Sequence, residues 1–173
     1  KIISKDKHSF KISLLTARKN YRILLKQAKD FNVKNIIITE KKYFELAKIK
    51  NKKVNIFNSF DDFNKIFKKK IDYVMSSIIG IDGLYPTIKI IKHTKNIAIA
   101  NKEAIICGWN LIEKQLKKNK TKFLPVDSEH FSIWKTLNQD DKFNIDKIFI
   151  TASGGPFLNT PISRIKYVKI SQA

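Results

Sequence analysis

Short runs of apolar, β-branched residues alternate along this chain with longer stretches whose apolar positions recur at helical spacing. Such alternation predicts parallel strands joined by covering helices. The first strand is expected over residues 10–17. A helix follows over 21–31, with Ile23, Leu24, Gln27, Ala28 and Phe31 near one face. Residues 35–39 are almost continuously apolar, as in a strand covered on both sides. A helix over 42–48 and a short strand over 54–57 come next. Ser59, with Asp62 three residues on, then opens a helix as an acid-bearing capping box. Strands are expected over 71–75, 97–100, 122–125 and 147–151, and helices over 84–93, 103–117 and 129–137. The polar segment 138–144 reads as a loop and a boundary. Up to it the fold class is α/β, a Rossmann-like doubly wound parallel sheet. Beyond it a second, sheet-containing unit begins.

Length and composition leave this picture standing. At 173 residues with 43% hydrophobic content, the chain can bury a core of its own. Its one cysteine, Cys107, excludes an internal disulfide framework and fits a reducing compartment. On a helix, Cys107 reads as a small buried hydrophobe rather than a nucleophile. No apolar run approaches the roughly 20 residues of a membrane helix, so no membrane partner is expected. Residues 1–7 do not resemble a signal peptide, because no apolar stretch follows them. With no initiator methionine, the chain reads as an internal fragment.

The formal charge of +20 raises the alternative of a basic nucleic-acid-binding module. Only Arg18, Arg22 and Arg164 are arginines, whereas arginine is the residue suited to bidentate phosphate and base contacts. The lysines are dispersed among Ile and Asn, as surface positions drift in an AT-rich genome. Runs such as 67–70 and 117–120 read as solvated helix ends. No nucleic-acid partner is expected.

Four polar words follow apolar runs, where an open parallel sheet binds its ligands. They are Asn101-Lys102-Glu103, Pro125 to His130, Thr151 to Phe157, and Ile79 to Thr87. A lysine, acids, serines and a histidine are therefore expected on one rim. Asp127 and Glu129 lie two apart around Ser128. In extended backbone they point the same way and offer hard oxygen donors to Mg²⁺ or Mn²⁺. Equally, Asp127 or Ser128 caps the following helix, with Glu129 in its first turn. Lys102 can neutralise an oxyanion, while Asn101 and Glu103 can hydrogen-bond a nucleotide cofactor; an Asn-capped helix start is the other reading. Thr151 to Pro156 offers the Ser153 hydroxyl and small residues that let backbone amides approach an anion. Gly80 and Gly83 suit close backbone approach, with Pro86 in a first helical turn. His8 and His93 read as surface residues, and His130 as a residue that packs or supports a ligand rather than a ligand itself.

In this order and spacing, the words resemble the 1-deoxy-D-xylulose 5-phosphate reductoisomerase family. Its pattern has Ala-Asn-Lys-Glu, Pro-Val-Asp-Ser-Glu-His and Ser-Gly-Gly-Pro-Phe. The elements Gly80, Gly83-Leu84 and Pro86-Thr87 also match, as does Leu15-Thr16-Ala17 before Lys19-Asn20. The resemblance covers nearly all of residues 8–173. It implies NADPH-dependent rearrangement and reduction of 1-deoxy-D-xylulose 5-phosphate to 2-C-methyl-D-erythritol 4-phosphate, in non-mevalonate isoprenoid biosynthesis. It further implies a homodimeric, cytoplasmic bacterial enzyme acting on a small sugar phosphate, with Mg²⁺ or Mn²⁺, or Co²⁺ in their place.

Under that resemblance Asp127 and Glu129 are metal ligands, and Lys102 and Glu129 are catalytic. Lys102, Ser128, Glu129 and Ser153 contact substrate, while Lys19, Asn20, Asn101 and Glu103 line the NADPH site. Arg18, in the same stretch, is counted with these cofactor-binding residues, although the family usually has glycine at its place. Residues 1–126 become an NADPH-binding domain lacking its first strand and glycine-rich loop, and 127–173 the truncated start of a catalytic domain. The third metal ligand and the phosphate site are expected past residue 173, leaving this piece inactive alone. A Rossmann oxidoreductase without metal, such as a semialdehyde dehydrogenase, is the enzymatic alternative.

Overall fold

The computed structural model describes residues 2–6, 8–51, 53–137, 145–151 and 155–172. It divides into two compact units, Lys1–Leu124 and Pro125–Ala173. After a one-turn helix α1 (Ile2–Lys5), the first unit alternates strand and helix. Its elements are β1 (Leu15–Ala17), α2 (Tyr21–Asp30), β2 (Asn35–Ile38), α3 (Lys41–Lys50), β3 (Asn55–Phe57) and α4 (Phe63–Ile66). They continue with β4 (Ile71–Ser76), α5 (Leu84–Ile90), β5 (Thr94–Ile99), α6 (Lys102–Asn119) and β6 (Lys122–Leu124). Among the described residues all strand pairing is parallel and forms two three-stranded ladders, β1-β2-β3 and β4-β5-β6.

Two apolar clusters form the core, and one of them joins the ladders. In β2, Ile36, Ile37 and Ile38 are all fully buried, because successive side chains of a strand point to opposite faces and both faces are covered. Ile36 and Ile38 pack with Tyr21, Leu24 and Ala28 of α2 and Ala47 of α3. Ile37 faces the other way, into a cluster with Phe63, Ile97 and Ile99 of β5, and Ile112 and Leu116 of α6. A single strand thus contributes to both layers. The buried stripe of α2 runs Tyr21–Leu24–Ala28, at helical spacing, whereas Ile23 is half exposed.

Several sequence expectations need correction. Strand β1 begins at Leu15 and not at residue 10, since only residues 15–17 find partners on β2. Residues 147–151 form no strand. Ile148, Phe149 and Ile150 are exposed, and an apolar run becomes a strand only with a neighbour to complete its hydrogen bonds. Cys107 is exposed on α6. The polar segment 138–144 lies outside the described residues. The second unit carries α7 (Ser128–Thr136) and the short α8 (Ile162–Ile165).

His8 is exposed as expected, but His93 is 8% exposed and sits between Phe63 and Phe67, with ring centroids 6.1 and 5.7 Å away. Its Nε2 finds no hydrogen-bond partner among the described residues. Burial, and secondarily the charge of Lys92, lower its pKa from 6.5. The unfolded chain therefore takes up a proton below that pH which the folded chain refuses. Stability is complete above the unfolded value and is lost as pH falls through the folded one. Urea unfolding of the chain at pH 7.5 and pH 5 should show that loss, with a ceiling of about 1.4 kcal/mol per pH unit for one proton. His93→Leu should show a smaller loss, and an unchanged one would refute this account.

Candidate functional site

Four strands of the first unit end around one crevice of about 450 Å³. Arg18 lines it just after β1, Thr39 just after β2, Asn58 and Ser59 just after β3, and Ile79 beyond β4. The parallel arrangement causes this, because every strand delivers its carboxyl end to the same side. The loop ends are tied by side chains. Asn58 Nδ2 donates to the Ile38 carbonyl at 2.7 Å and so fixes the turn after β2.

The turn after β4 is clamped more tightly. Asn101, buried and one residue before α6, caps that helix by accepting from the Ala104 N–H at 2.7 Å. Its Nδ2 donates to the carbonyls of Ile78 and Gly80. Gly80 has φ +75°, a conformation that favours glycine. Gly83 must be glycine for space: a Cβ there would lie 2.2 Å from Asn101 Nδ2 and 2.4 Å from the Ile78 carbonyl oxygen. Beneath the turn the hydroxyls of Ser76 and Thr87 meet at 2.6 Å, and Thr87 donates to the Gly83 carbonyl. Asn101 is thus a positioning residue whose amide is engaged by its own chain, not offered outward.

Around this frame stand the charges. The Arg18 guanidinium lies 3.5 Å from Glu40 and 3.7 Å from Asp82. Lys19 is exposed beside it, and Asn20 caps α2 by accepting from the Ile23 N–H. Lys102 and Glu103 are exposed in the first turn of α6, where the helix presents its positive end. A second polar group at the crevice was not foreseen. Tyr85, which lines it, and Lys89 both donate to Asp61, at 2.5 and 2.8 Å. Lys89 first, then Tyr85, lowers the Asp61 pKa to about 2. Nothing in the spacing of residues 61, 85 and 89 announces this cluster. Polar residues just past each strand, such as Thr39 and Asn58, could have been noticed.

In the second unit, Asp127 is the N-cap of α7 and accepts from the His130 N–H at 2.9 Å. His130 Nδ1 also lies 2.5 Å from the same oxygen. The backbone N–H first, and then the ring, lower the Asp127 pKa. Ser128 Oγ donates to Glu129 at 2.9 Å. The expectation of extended backbone here is corrected: Ser128 and Glu129 already belong to the helix, because the cap lets the helix start at Ser128. His130 engages one oxygen of the Asp127 carboxylate, and Ser128 one oxygen of Glu129. Two carboxylates and a hydroxyl in consecutive residues suit a hard divalent cation that takes further ligands from water and substrate. Among the described residues no group of three or more acidic, His or Cys side chains is gathered as a complete metal cage. Ser153 lies outside the described residues.

Parallel strands, helices on both faces and a crevice at the carboxyl ends place the chain among Rossmann-like α/β proteins. The sequence profile of 1-deoxy-D-xylulose 5-phosphate reductoisomerase matches residues 1–108, and that of the C-terminal domain of the same enzyme matches 123–173. The chain belongs to the 1-deoxy-D-xylulose 5-phosphate reductoisomerase family. It is 57% identical to the reductoisomerase of Pelagibacter ubique (strain HTCC1062), over all of this chain and 46% of that protein. It is 34% identical to that of Wolbachia pipientis subsp. Culex pipiens, over 99% of this chain and 44% of the relative. The chain therefore spans about half the length of these curated relatives. The Zymomonas mobilis enzyme in complex with NADPH superposes with a TM-score of 0.79 at 30% identity, over 94% of this chain and 44% of that one. A reductoisomerase complex with NADPH, fosmidomycin and magnesium gives 0.78 at 26% identity, over 99% and 46%.

Replacing Asn101 with Ala should destabilise the chain by about 2–3 kcal/mol, because a buried three-bond clamp is lost. Gly83→Ala, which pushes the same clamp apart, should cost about 1–3 kcal/mol. Urea unfolding of the single and double variants checks this. The pair should be clearly less than additive, since both break one contact.

Proposed function

We propose that this chain supplies the cofactor-binding part and the first stretch of the catalytic part of an NADPH-dependent reductoisomerase. That enzyme converts 1-deoxy-D-xylulose 5-phosphate to 2-C-methyl-D-erythritol 4-phosphate. The observation that carries the reading is the set of family words on this structure. The crevice at the strand ends lies between ladders whose loops carry Arg18, Lys19 and the Asn101 clamp, and the hard-oxygen trio opens α7. Residues 1–126 are read as the NADPH-binding domain and 127–173 as the start of the catalytic domain. A sugar phosphate substrate, a homodimeric assembly and a bacterial cytoplasmic setting go with this reading. Among the described residues no helix is long and apolar enough to cross a membrane.

When bound, NADPH supplies a hydride, and a divalent cation supplies positive charge beside neighbouring substrate oxygens. The residues assigned to the cation are Asp127 and Glu129. Asp127 suits this because the His130 N–H keeps it ionised to well below neutral pH. Ser128 and Ser153 orient substrate hydroxyls. Lys102, an exposed ammonium at the start of α6, balances negative charge that develops on substrate oxygen. Lys19, Asn20 and Glu103 are assigned to the dinucleotide, and Asn101 holds Lys102 and Glu103 in place through its cap. The chemistry then depends on alignment of two ligands more than on proton transfer by any one side chain.

The test grafts this chain into the Pelagibacter ubique reductoisomerase in place of its matching segment. The graft should turn over 1-deoxy-D-xylulose 5-phosphate with oxidation of NADPH. Asp127→Asn and Glu129→Gln should each lower kcat/KM at least about 100-fold and weaken Mn²⁺ binding. A correctly folded graft without turnover, or one indifferent to both substitutions, would sink the reading.

A further inference from the structure

Lysines that are dispersed along the sequence are gathered by the fold. In a parallel sheet joined by crossover helices, helices end and strands begin on the side away from the crevice. Register puts Ile71 beside Thr94 and Asn96 beside Lys122, so β4, β5 and β6 begin together. The end of α6 meets them there, because Lys70 Nζ donates to the Asn119 carbonyl and, at 3.4 Å, to Thr121 Oγ1. The segments that meet, residues 68–72, 92–95 and 113–122, carry ten lysines and two acids. The crevice end lies roughly 17 Å away along β4. There Arg18 and Lys19 are mixed with Glu40, Asp61 and Asp82.

Both acids of this face are already answered. Lys95 reaches Asp72 at 2.8 Å and Lys117 reaches Glu113 at 2.9 Å, which leaves eight positive charges uncompensated. Two of the eight serve the fold: Lys68 donates to the Asn64 carbonyl of α4, and Lys70 covers the carbonyl end of α6. The second contact matters, because a bare helix C-terminus repels an anion. The other six, Lys69, Lys92, Lys114, Lys118, Lys120 and Lys122, are exposed and form no ion pair among the described residues. Crowding like charges together costs the folded state repulsion. No contact among the described residues offsets it.

The chemistry of the face selects its partner. These segments expose no large apolar side chain. A lipid surface is therefore a poor match, since firm membrane binding takes an inserted apolar group as well as charge. Unpaired bases need aromatic platforms, and a protein interface needs an apolar centre. A regular row of phosphates needs only point charges, which lysine supplies. We propose that the strand-start face of the first unit is a docking surface for duplex nucleic acid. It holds the phosphate backbone without regard to sequence. The face lies at the opposite end of the strands from the crevice, so an occupant leaves the crevice open.

Fluorescence anisotropy of a labelled DNA duplex of about 20 base pairs, titrated with the 173-residue chain across a salt series, tests this. The affinity should fall with a log–log salt slope of about −5, as for roughly six phosphate contacts. Lys69→Gln, Lys92→Gln and Lys122→Gln together, one lysine at the start of each of β4, β5 and β6, should flatten that slope by about 3. Lys26→Gln, Lys41→Gln and Lys42→Gln together remove the same charge from exposed positions on α2 and α3 and should leave it unchanged. Equal loss in the two triple variants would make binding a matter of net charge and overturn the inference. Absence of binding at about 50 mM salt overturns it too. Tighter binding to the single strand of the same length would point to the bases, and binding to phosphatidylserine vesicles but not to the duplex would assign the face to a membrane; each overturns it. All six side chains are exposed, and circular dichroism confirms that both variants are folded.

Discussion

One apolar cluster carries the architecture: Ile37 of β2 packed against Phe63, Ile97 and Ile99. Among the described residues the strands on either side of the crevice belong to different hydrogen-bonded ladders, and this side-chain packing joins them. Because interiors are close-packed and deform little, a shared cluster locates the two sets of strand ends nearly as firmly as a ladder would. The positions of Arg18, Thr39 and the turn after β4 follow from that.

Onto this frame the chain adds polar clamps with little redundancy. Asn101 joins a helix start to a strand-end turn, Asn58 closes the turn after β2, and the Ser76–Thr87–Gly83 chain of hydroxyl bonds fastens α5 beneath. Each satisfies backbone groups that a tight turn would otherwise leave bare. Arg18 and Lys102 stand exposed on this frame, directly after β1 and at the start of α6. The second unit is built differently: α7 has no buried residue, Phe131 and Trp134 are partly exposed against each other at 5.7 Å, and Asp127 caps the helix.

Much of the first unit was legible in the residues, because a parallel sheet is written locally. Residues 35–38 are apolar without interruption, the helix of residues 21–30 shows its buried stripe, and Asn101 and Ser59 announce helix starts through their capping chemistry. The four words likewise sufficed for the family, since their order and spacing are properties of the chain alone. Failures came where a local pattern lacked its partner. Residues 147–151 look like a strand but pair with no strand among the described residues, and His93 carries a surface side chain's polarity into a pocket between two phenylalanines.

By itself, the sequence determined the parallel α/β character, the places where polar residues follow strands, and the family. Periodicity, caps and motif spacing depend only on near neighbours. Tertiary structure alone decided that the Asn101 amide is engaged inward, that Gly83 has no room for a methyl group, and that Arg18 reaches Glu40 and Asp82. Those outcomes join residues some 20 to 60 positions apart, and no pattern along the chain encodes the distance between two side chains brought together by a common core.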